Sequence, residues 1–449
     1  MLRRQFLRWS TLAIASAALP LPVFARDEYQ VDPRLGHMLG PISYAFQSDR
    51  AEIDPDILRD YLPPLGSGRT YYIDPESGED DEDGSNWRRA LRTVSAALDK
   101  PDVDRVIVRG DFVYRIDKEG QEGLGVYSGK RNVSIVADGG KAIFTTARKA
   151  DWDSPWFGPN THIYQSSPTG GQIVKVLDVS RLDEFGEYSE ISQASTLEEC
   201  QATPGTWAYW HGRVHLNHPH EPGDEVLLLR STAMGVAAKN VIVHLKNIHF
   251  VGGSNGAFSD VGATGSVIYT EDCKFTHNWQ TDGFKIVDAK LAISVRCVAA
   301  VNAKDGFNYH IGESTSPHFV ELDCEGYGNR APATGNGSSS HNSCVGLRIN
   351  GSYHHNAGPG VADVNDAQSY NIACNSHHNG PGANSNGFLA SSGDRLGRGA
   401  RMWLDRCTAG ANSGHDVFAS NGATIEYRGL STDDSEVFAD SNSLAASFG

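Results

Sequence analysis

Positive charge is scarce in this chain: 39 Lys and Arg stand against 55 Asp and Glu among 449 residues, a formal charge of −16. So acidic a chain is a poor partner for phosphate backbones, which sets nucleic acid aside. Cysteine is sparse and odd in number. Cys200, Cys273, Cys297, Cys324, Cys344, Cys374 and Cys407 are seven, so complete disulfide pairing within one chain is impossible even in an oxidising compartment. Long apolar runs are lacking as well. The N-terminal stretch that passes Pro20 and Pro22 to reach Val23-Phe24-Ala25 is too short to span a bilayer permanently.

That stretch follows Arg3-Arg4-Gln5-Phe6-Leu7, which resembles the twin-arginine export signal, and ends at small residues suited to cleavage. Residues 1–25 are therefore expected to be removed, with the mature chain starting near Arg26, away from the membrane, in a bacterial periplasm or outside the cell. Loss of three arginines leaves 36 basic against 55 acidic residues, or −19. An acidic glycan stays open as a partner, because local basic groups or a bound Ca²⁺ can outweigh the mean field. Nothing calls for an organic cofactor, and a long acidic chain fits a soluble monomer.

What the chain has in plenty is glycine, 48 residues, together with Asn, Asp and Ser. These are turn formers, so the expectation is an all-β chain with few helices. From about residue 247 a short unit recurs: an apolar strand ends in Cys and an Asn follows five residues later. Cys273 precedes Asn278, Cys297 precedes Asn302, Cys324 precedes Asn329, Cys374 precedes Asn379 and Cys407 precedes Asn412. Gly351 with Asn356 fits the series, and Phe250 with Asn255 begins it. The asparagines lie 23, 24, 27, 27, 23 and 33 residues apart, one supersecondary unit with loop insertions. Short strands without intervening helices cannot bury their faces alone, whereas stacked coils can. Asn tolerates left-handed turns and can bond its counterpart one coil on. Most cysteines then fill one repeated core position as buried thiols.

This repeat resembles the pectate-lyase-like superfamily, which implies a right-handed parallel β-helix with an N-terminal capping helix. Tyr71-Tyr72-Ile73-Asp74-Pro75 and the segment Ala90–Leu98 look like that family's first strand and cap, which would cover an otherwise open edge. Val106–Val108 and Val133–Val136 read as early strands. The organisation expected is a signal at 1–25, an extension at 26–69 and a β-helix at 70–449 with a lobe inserted at about 145–230. That lobe carries Trp152, Trp156, Trp207, Tyr209 and Trp210, suited to a local core or to stacking on sugars. The acidic run Glu79–Asp83 lacks the spacing of a calcium loop, so it reads as a solvated turn, with Ca²⁺ the alternative.

Strand alternation sorts the side chains. Asp272, Arg296 and Asp323 just before the cysteine slot, and Glu321 with Arg348 on successive coils, read as outward cross-strand ion pairs. On the strands after the ladder, Phe284, Phe307 and Val361 should face inward. Lys285 and Asn308 should then stack outward, with His310 along the same strand and His341, in the insertion 330–343, close by. Lys285, His310, His341 and Asp363, with Asn308, Asp366 and Arg348 as substrate ligands, form a candidate cleft beside the largest loop. For a uronate-containing polysaccharide, β-elimination needs a neutralised carboxylate and a base, for which Lys285 or His310 serves. Hydrolysis would instead need two carboxylates, for which Asp282 and Asp305, one coil apart, are the candidates; Asp-Gly is also a common turn signature. His354-His355, His377-His378 and His277 occupy matching positions and read as stacked turns rather than a metal site. Asp394, Arg395, Arg398 and Arg401 either edge a groove or lie in a solvated loop.

The resemblance implies a polysaccharide lyase or glycoside hydrolase, with the lyase ahead because the cluster is basic and rich in histidine. The family's paired aspartates with Gly-His-Gly and its Asp-Pro-His motif are both incomplete here. A non-catalytic glycan-binding or surface-structural β-helix is the rival reading, since fold does not dictate function.

Overall fold

The computed structural model describes residues 28–63, 68–115, 131–153, 162–232, 234, 240–254, 256, 258–259, 262–332, 334–382, 384–392, 399–433 and 437–448. The signal-like segment, Trp156, Asn255, Asp394, Arg395 and Arg398 lie outside the described residues. The main body is a parallel β-helix of three sheets with 12, 10 and 7 strands. From Val267 to Ala439 each coil contributes one strand to each sheet, as in Leu291–Val295, Val298–Ala300 and Phe307–His310, and successive coils pair in parallel register.

The corners explain the sequence period. The residue before each cysteine slot is left-handed: Asp272, Arg296, Asp323, Asn350, Ala373 and Arg406 all have φ between 50° and 55°. That single residue turns the chain from the first sheet into the second, so the next side chain points into the core. All seven cysteines are buried free thiols. At the second corner the asparagines form a ladder. The Asn302 amide donates to Asn329 Oδ1 at 3.1 Å, Asn329 to Asn356 at 2.9 Å, Asn356 to Asn379 at 3.0 Å and Asn379 to Asn412 at 2.9 Å. Each of these four buried amides is thereby satisfied by the next coil, which fixes the stacking register.

The first sheet inverts the expected polarity. Its outer positions Leu291, Ile293, Val320, Leu347, Ile349 and Tyr370 are apolar and buried beneath the N-terminal residues, among them Leu35, Ile42, Tyr44 and Leu58. This segment, a three-stranded antiparallel sheet and a short helix, straps along the solenoid. Arg50 pairs with Asp323 at 2.6 Å, Arg34 with Glu426 at 2.7 Å, and Ala51 exchanges hydrogen bonds with the Asn350 side chain. Inner positions of the same sheet carry Thr270, Ser294, Glu321, Arg348 and Asn371, all fully buried.

Glu321 and Arg348 are therefore not an outward pair. Arg348 lies inside the coil, 3.7 Å from Glu321 and 3.2 Å from Asp363, with its guanidinium over the Phe319 ring at 4.8 Å. Asp272 and Arg296 do pair at the surface, at 2.7 Å, while Asp323 turns to the strap. The cap is shorter than expected: the α-helix spans only Val94–Leu98, begun by Thr93, whose side chain accepts from the Ala96 amide, and Leu91 bridges to Ile73 as strand instead.

The segment between Ala147 and Arg230 forms a separate eight-stranded sheet. Trp207 is in its core and Trp210 is partly exposed. It docks on the second sheet, where Glu187 binds Lys274 at 2.6 Å and accepts from the Tyr327 hydroxyl, and Tyr188 stacks on His249 and His277. No helix among the described residues is long and apolar enough to cross a membrane.

Candidate active site

The third sheet gathers most of the chemistry. Lys285 pairs with Asn308 and Val287 with His310 in register, so Lys285, Asn308 and His310 share one outer face. Ser339 follows Asn308 on the next coil, and the His341 ring stacks on His310 with centroids 4.0 Å apart and planes 14° from parallel. Burial, then the positive charges of Lys285 and Lys304, push His310 down to about 4, so its ring is neutral near pH 7. His341 is held well below its ordinary value by burial, His310 and Lys285, and its Nε2 is buried with no partner.

At the start of these strands Asp282 and Asp305 are buried one coil apart, 3% and 5% exposed. The Asp305 amide donates to Asp282 Oδ1 at 3.2 Å. The Asp305 carboxylate accepts from the Asn336 amide at 2.9 Å, from Ser339 Oγ at 2.6 Å and from Asn308 Nδ2 at 3.0 Å. Burial raises both carboxyls above their ordinary range, and the neighbouring Asp282 charge raises Asp305 further. Such a pair retains a proton where isolated carboxylates would not. The glycines that follow serve the fold: a Cβ on Gly283 would meet the ladder amide of Asn302 at 2.3 Å.

Six residues singled out in the sequence thus come together: Lys285, Asn308, His310, His341, Asp282 and Asp305. Asp363 and Arg348 do not. Asp363 faces the interior, where its carboxylate takes Ser340 at 2.7 Å, Ser369 and Arg348, because Val361 and Asp363 share the inward parity of their strand. Arg348 is fully buried and out of reach of a substrate. Asp366 sits on the turn after that strand, accepting from Ser343, with its other oxygen buried and without a partner. Three participants escaped the sequence reading: Lys304, Ser339 and Asn336. Lys304 adjoins Asp305, and Ser339 lies in the serine run before His341, so only the coil register could have marked them.

Three acids of the Glu79–Asp83 run, Asp80, Glu82 and Asp83, are engaged locally. Asp80 accepts from the Arg92 and Thr93 amides, and Arg89 pairs with Glu82 at 2.9 Å and Asp83 at 2.8 Å. Among the described residues no three His, Cys, Asp or Glu side chains converge to hold a metal ion. His354 stacks on His377 at 4.9 Å and His355 on His378 at 5.2 Å, while His277 stands apart, three coils away beyond Val301 and Gly328.

No protein-family model matches the chain, and no curated protein does. Solved structures that align with it include a glycoside hydrolase, at 10% identity and a TM-score of 0.45 over 84% of this chain and 96% of that one. A pectate lyase, Pel9A, aligns at 14% identity and 0.45 over 85% and 79% of the two chains. XylC in complex with xylose aligns at 10% identity and 0.43 over 81% and 70%. The architecture itself rests on the chain's own strand register: three parallel sheets wound coil on coil make this protein a parallel β-helix.

Proposed function

We propose that the protein cleaves a uronate-containing polysaccharide by β-elimination on the outer face of the third sheet. The observation that carries this reading is the stacked pair His310 and His341 on the face that Lys285 shares, with His310 kept neutral by burial and by the charges of Lys285 and Lys304. In this reading Lys285 and Lys304 receive the uronate carboxylate, which acidifies the neighbouring C–H. His310 takes that proton. The electron pair forms the ring double bond as the glycosidic C–O bond breaks, and the proton retained by the Asp282–Asp305 pair passes to the leaving oxygen. A bound carboxylate would also offset the lysine charges that hold His310 down, making it a stronger base when substrate is present.

A second reading, hydrolysis, is favoured by the carboxyl pair itself. Adjacent coils are about 4.8 Å apart, near the roughly 5 Å separation of a retaining glycosidase. In either case the protein would act outside the cytoplasm after twin-arginine export, as a monomer.

The test incubates the mature protein with acidic and neutral polysaccharides, with and without Ca²⁺, recording unsaturated-product absorbance and new reducing ends. Both signals rising, and both falling at least a hundredfold in His310→Ala, supports elimination. Reducing ends alone would move the assignment to Asp282 and Asp305 as hydrolytic carboxylates. Neither signal on any glycan would favour a binding or structural β-helix.

A further inference from the structure

A second polar surface lies across the asparagine ladder from this cluster. The hairpin tip of the lobe, Asp183–Glu187, overhangs the second sheet and leaves two adjoining cavities of about 560 and 440 Å³, which share Glu184, Phe185 and His355. Volumes of this size are in the range of small-molecule sites. Tyr327, His354 and His355 line the floor, and their columns of rings run one coil beyond it to His377 and His378. Tyr327, His354 and His377 stack at 5.1 and 4.9 Å, and His355 and His378 at 5.2 Å, nearly parallel throughout. Rings stacked face to face turn their edges outward, so the floor offers nitrogen atoms at each coil step. His354 uses both of its nitrogens, Nδ1 against His355 Nδ1 at 2.8 Å and Nε2 against Glu325 at 2.9 Å. His377 and His378 repeat the Nδ1 contact at 2.8 Å. The Nε2 edges of His355 and His378, both exposed, are left for a ligand.

The charge of the groove differs from that of the third sheet. Asp183, Glu184 and Glu325 line it, and Arg330, its one lining Lys or Arg among the described residues, is held by Glu190 at 2.6 Å. An anionic sugar would meet carboxylates here. Hydroxyl groups, by contrast, can donate to those carboxylates and to imidazole nitrogen. Phe185, half-buried against His355 at 5.7 Å and Tyr327 at 6.1 Å, supplies the apolar wall on which a sugar ring packs its C–H face. Burial and then the neighbouring histidines hold His355 and His377 below their ordinary value, so these edges accept as well as donate at neutral pH.

We propose that the groove between the lobe tip and the stacked histidines binds an uncharged, hydroxyl-rich oligosaccharide, as a subsite separate from the cationic cluster on the third sheet. The loop from Arg330 to Asn336 joins the two: Arg330 lines the groove, and the Asn336 amide donates to Asp305 at 2.9 Å. The binding claim does not depend on the elimination chemistry.

The test is calorimetric titration of the mature protein with hexasaccharides of xylose, mannose and glucose, with hexagalacturonate, and with a lysine-rich peptide. At least one uncharged hexasaccharide is expected to bind. Phe185→Ala and the double variant His355→Ala/His378→Ala should each weaken that binding at least tenfold while leaving the melting temperature within a degree or two. Binding of no uncharged sugar overturns the proposal, as does binding that both variants retain. Binding of the peptide alone overturns it in favour of a protein partner. Product release from uronate glycans, followed in parallel with His310→Ala, fails or succeeds independently, so loss of one reading is distinguishable from loss of the other.

Discussion

Asp282 and Asp305 show how one pair of side chains ties stability to pH. Asp305 is raised above its unfolded value, by burial first and by Asp282 second. The protonated form is therefore favoured by folding: this contribution is fully present below the unfolded carboxylate range, near 3.9, and is lost as pH rises through the folded value. Asp282→Asn removes the facing charge. It should raise the melting temperature at pH 8 by an amount of order 1 kcal/mol of stability, and by less at pH 5, while turnover falls; a drop at both pH values would mark Asp282 as a plain structural acceptor. Arg348 makes the opposite case. It is enclosed with Glu321 and Asp363, so Arg348→Ala would strand two buried carboxylates at roughly 3–5 kcal/mol, measured by denaturant unfolding, whereas a triple apolar replacement of Arg348, Glu321 and Asp363 should recover much of that loss. Arg348 was not legible as an interior residue, whereas Asp363 was, since the inward parity expected of Val361 carries it inside as well. Polar positions read as outward by the usual alternation, and that rule fails on the first sheet because a segment distant in sequence covers its outer face. Lys285, Asn308 and His310 were legible because the third sheet keeps the ordinary parity.

At the scale of the elements, ladder and strap do different work. The asparagine spacing was readable because every coil must close the same corner, and the same amide satisfies it each time. Asn329 accepts from the Asn302 backbone and side chain, and its own amide reaches Asn356, Ala299 and Asn336. Asn329→Ala should cost about 2–3 kcal/mol through those orphaned buried groups, and Asn412→Ala, at the ladder's end, distinctly less; equal losses in urea unfolding would mean that the ladder does not act through its interior contacts. The strap was hidden because nothing in residues 28–62 states which face it will cover. Its deletion should expose Ile293, Val320, Leu347, Ile349, Tyr370 and Trp403 as one apolar band, far beyond what monomers tolerate at a surface. The expected outcome is strong dye binding and loss of soluble monomer on size exclusion, with the solenoid's circular dichroism retained.

Neutral histidines stand both where separate parts meet and within the solenoid itself. His37 of the strap lies against the Phe319 carbonyl, His277 beneath Tyr188 of the lobe, and His310 on the third sheet. Burial holds His37 and His310 down to about 4 and His277 to about 3. Each folded value is depressed, so the neutral form is favoured by folding. The contribution is complete above the unfolded value near 6.5 and is lost as pH falls toward 4, because the unfolded chain takes up protons that the folded one refuses. The Asp282–Asp305 pair sets the opposing limb on the alkaline side, so stability should peak between the two. Acid should also act first where a histidine is clamped between parts rather than within one. His277 and His249 both lie under Tyr188, and His249 is likewise held well below its ordinary value by burial. Hydrogen exchange at pH 5 should therefore reveal loss of protection along Tyr188–Gln193 before any loss in the parallel strands Val345–Ile349. His277→Gln keeps a donor for the Tyr188 carbonyl without a titrating ring, and it should shift the lobe's acid transition to lower pH. If lobe and solenoid instead lose protection together in both proteins, the histidines at the junction have no separate part in acid unfolding, and the transition belongs to the chain as one cooperative unit.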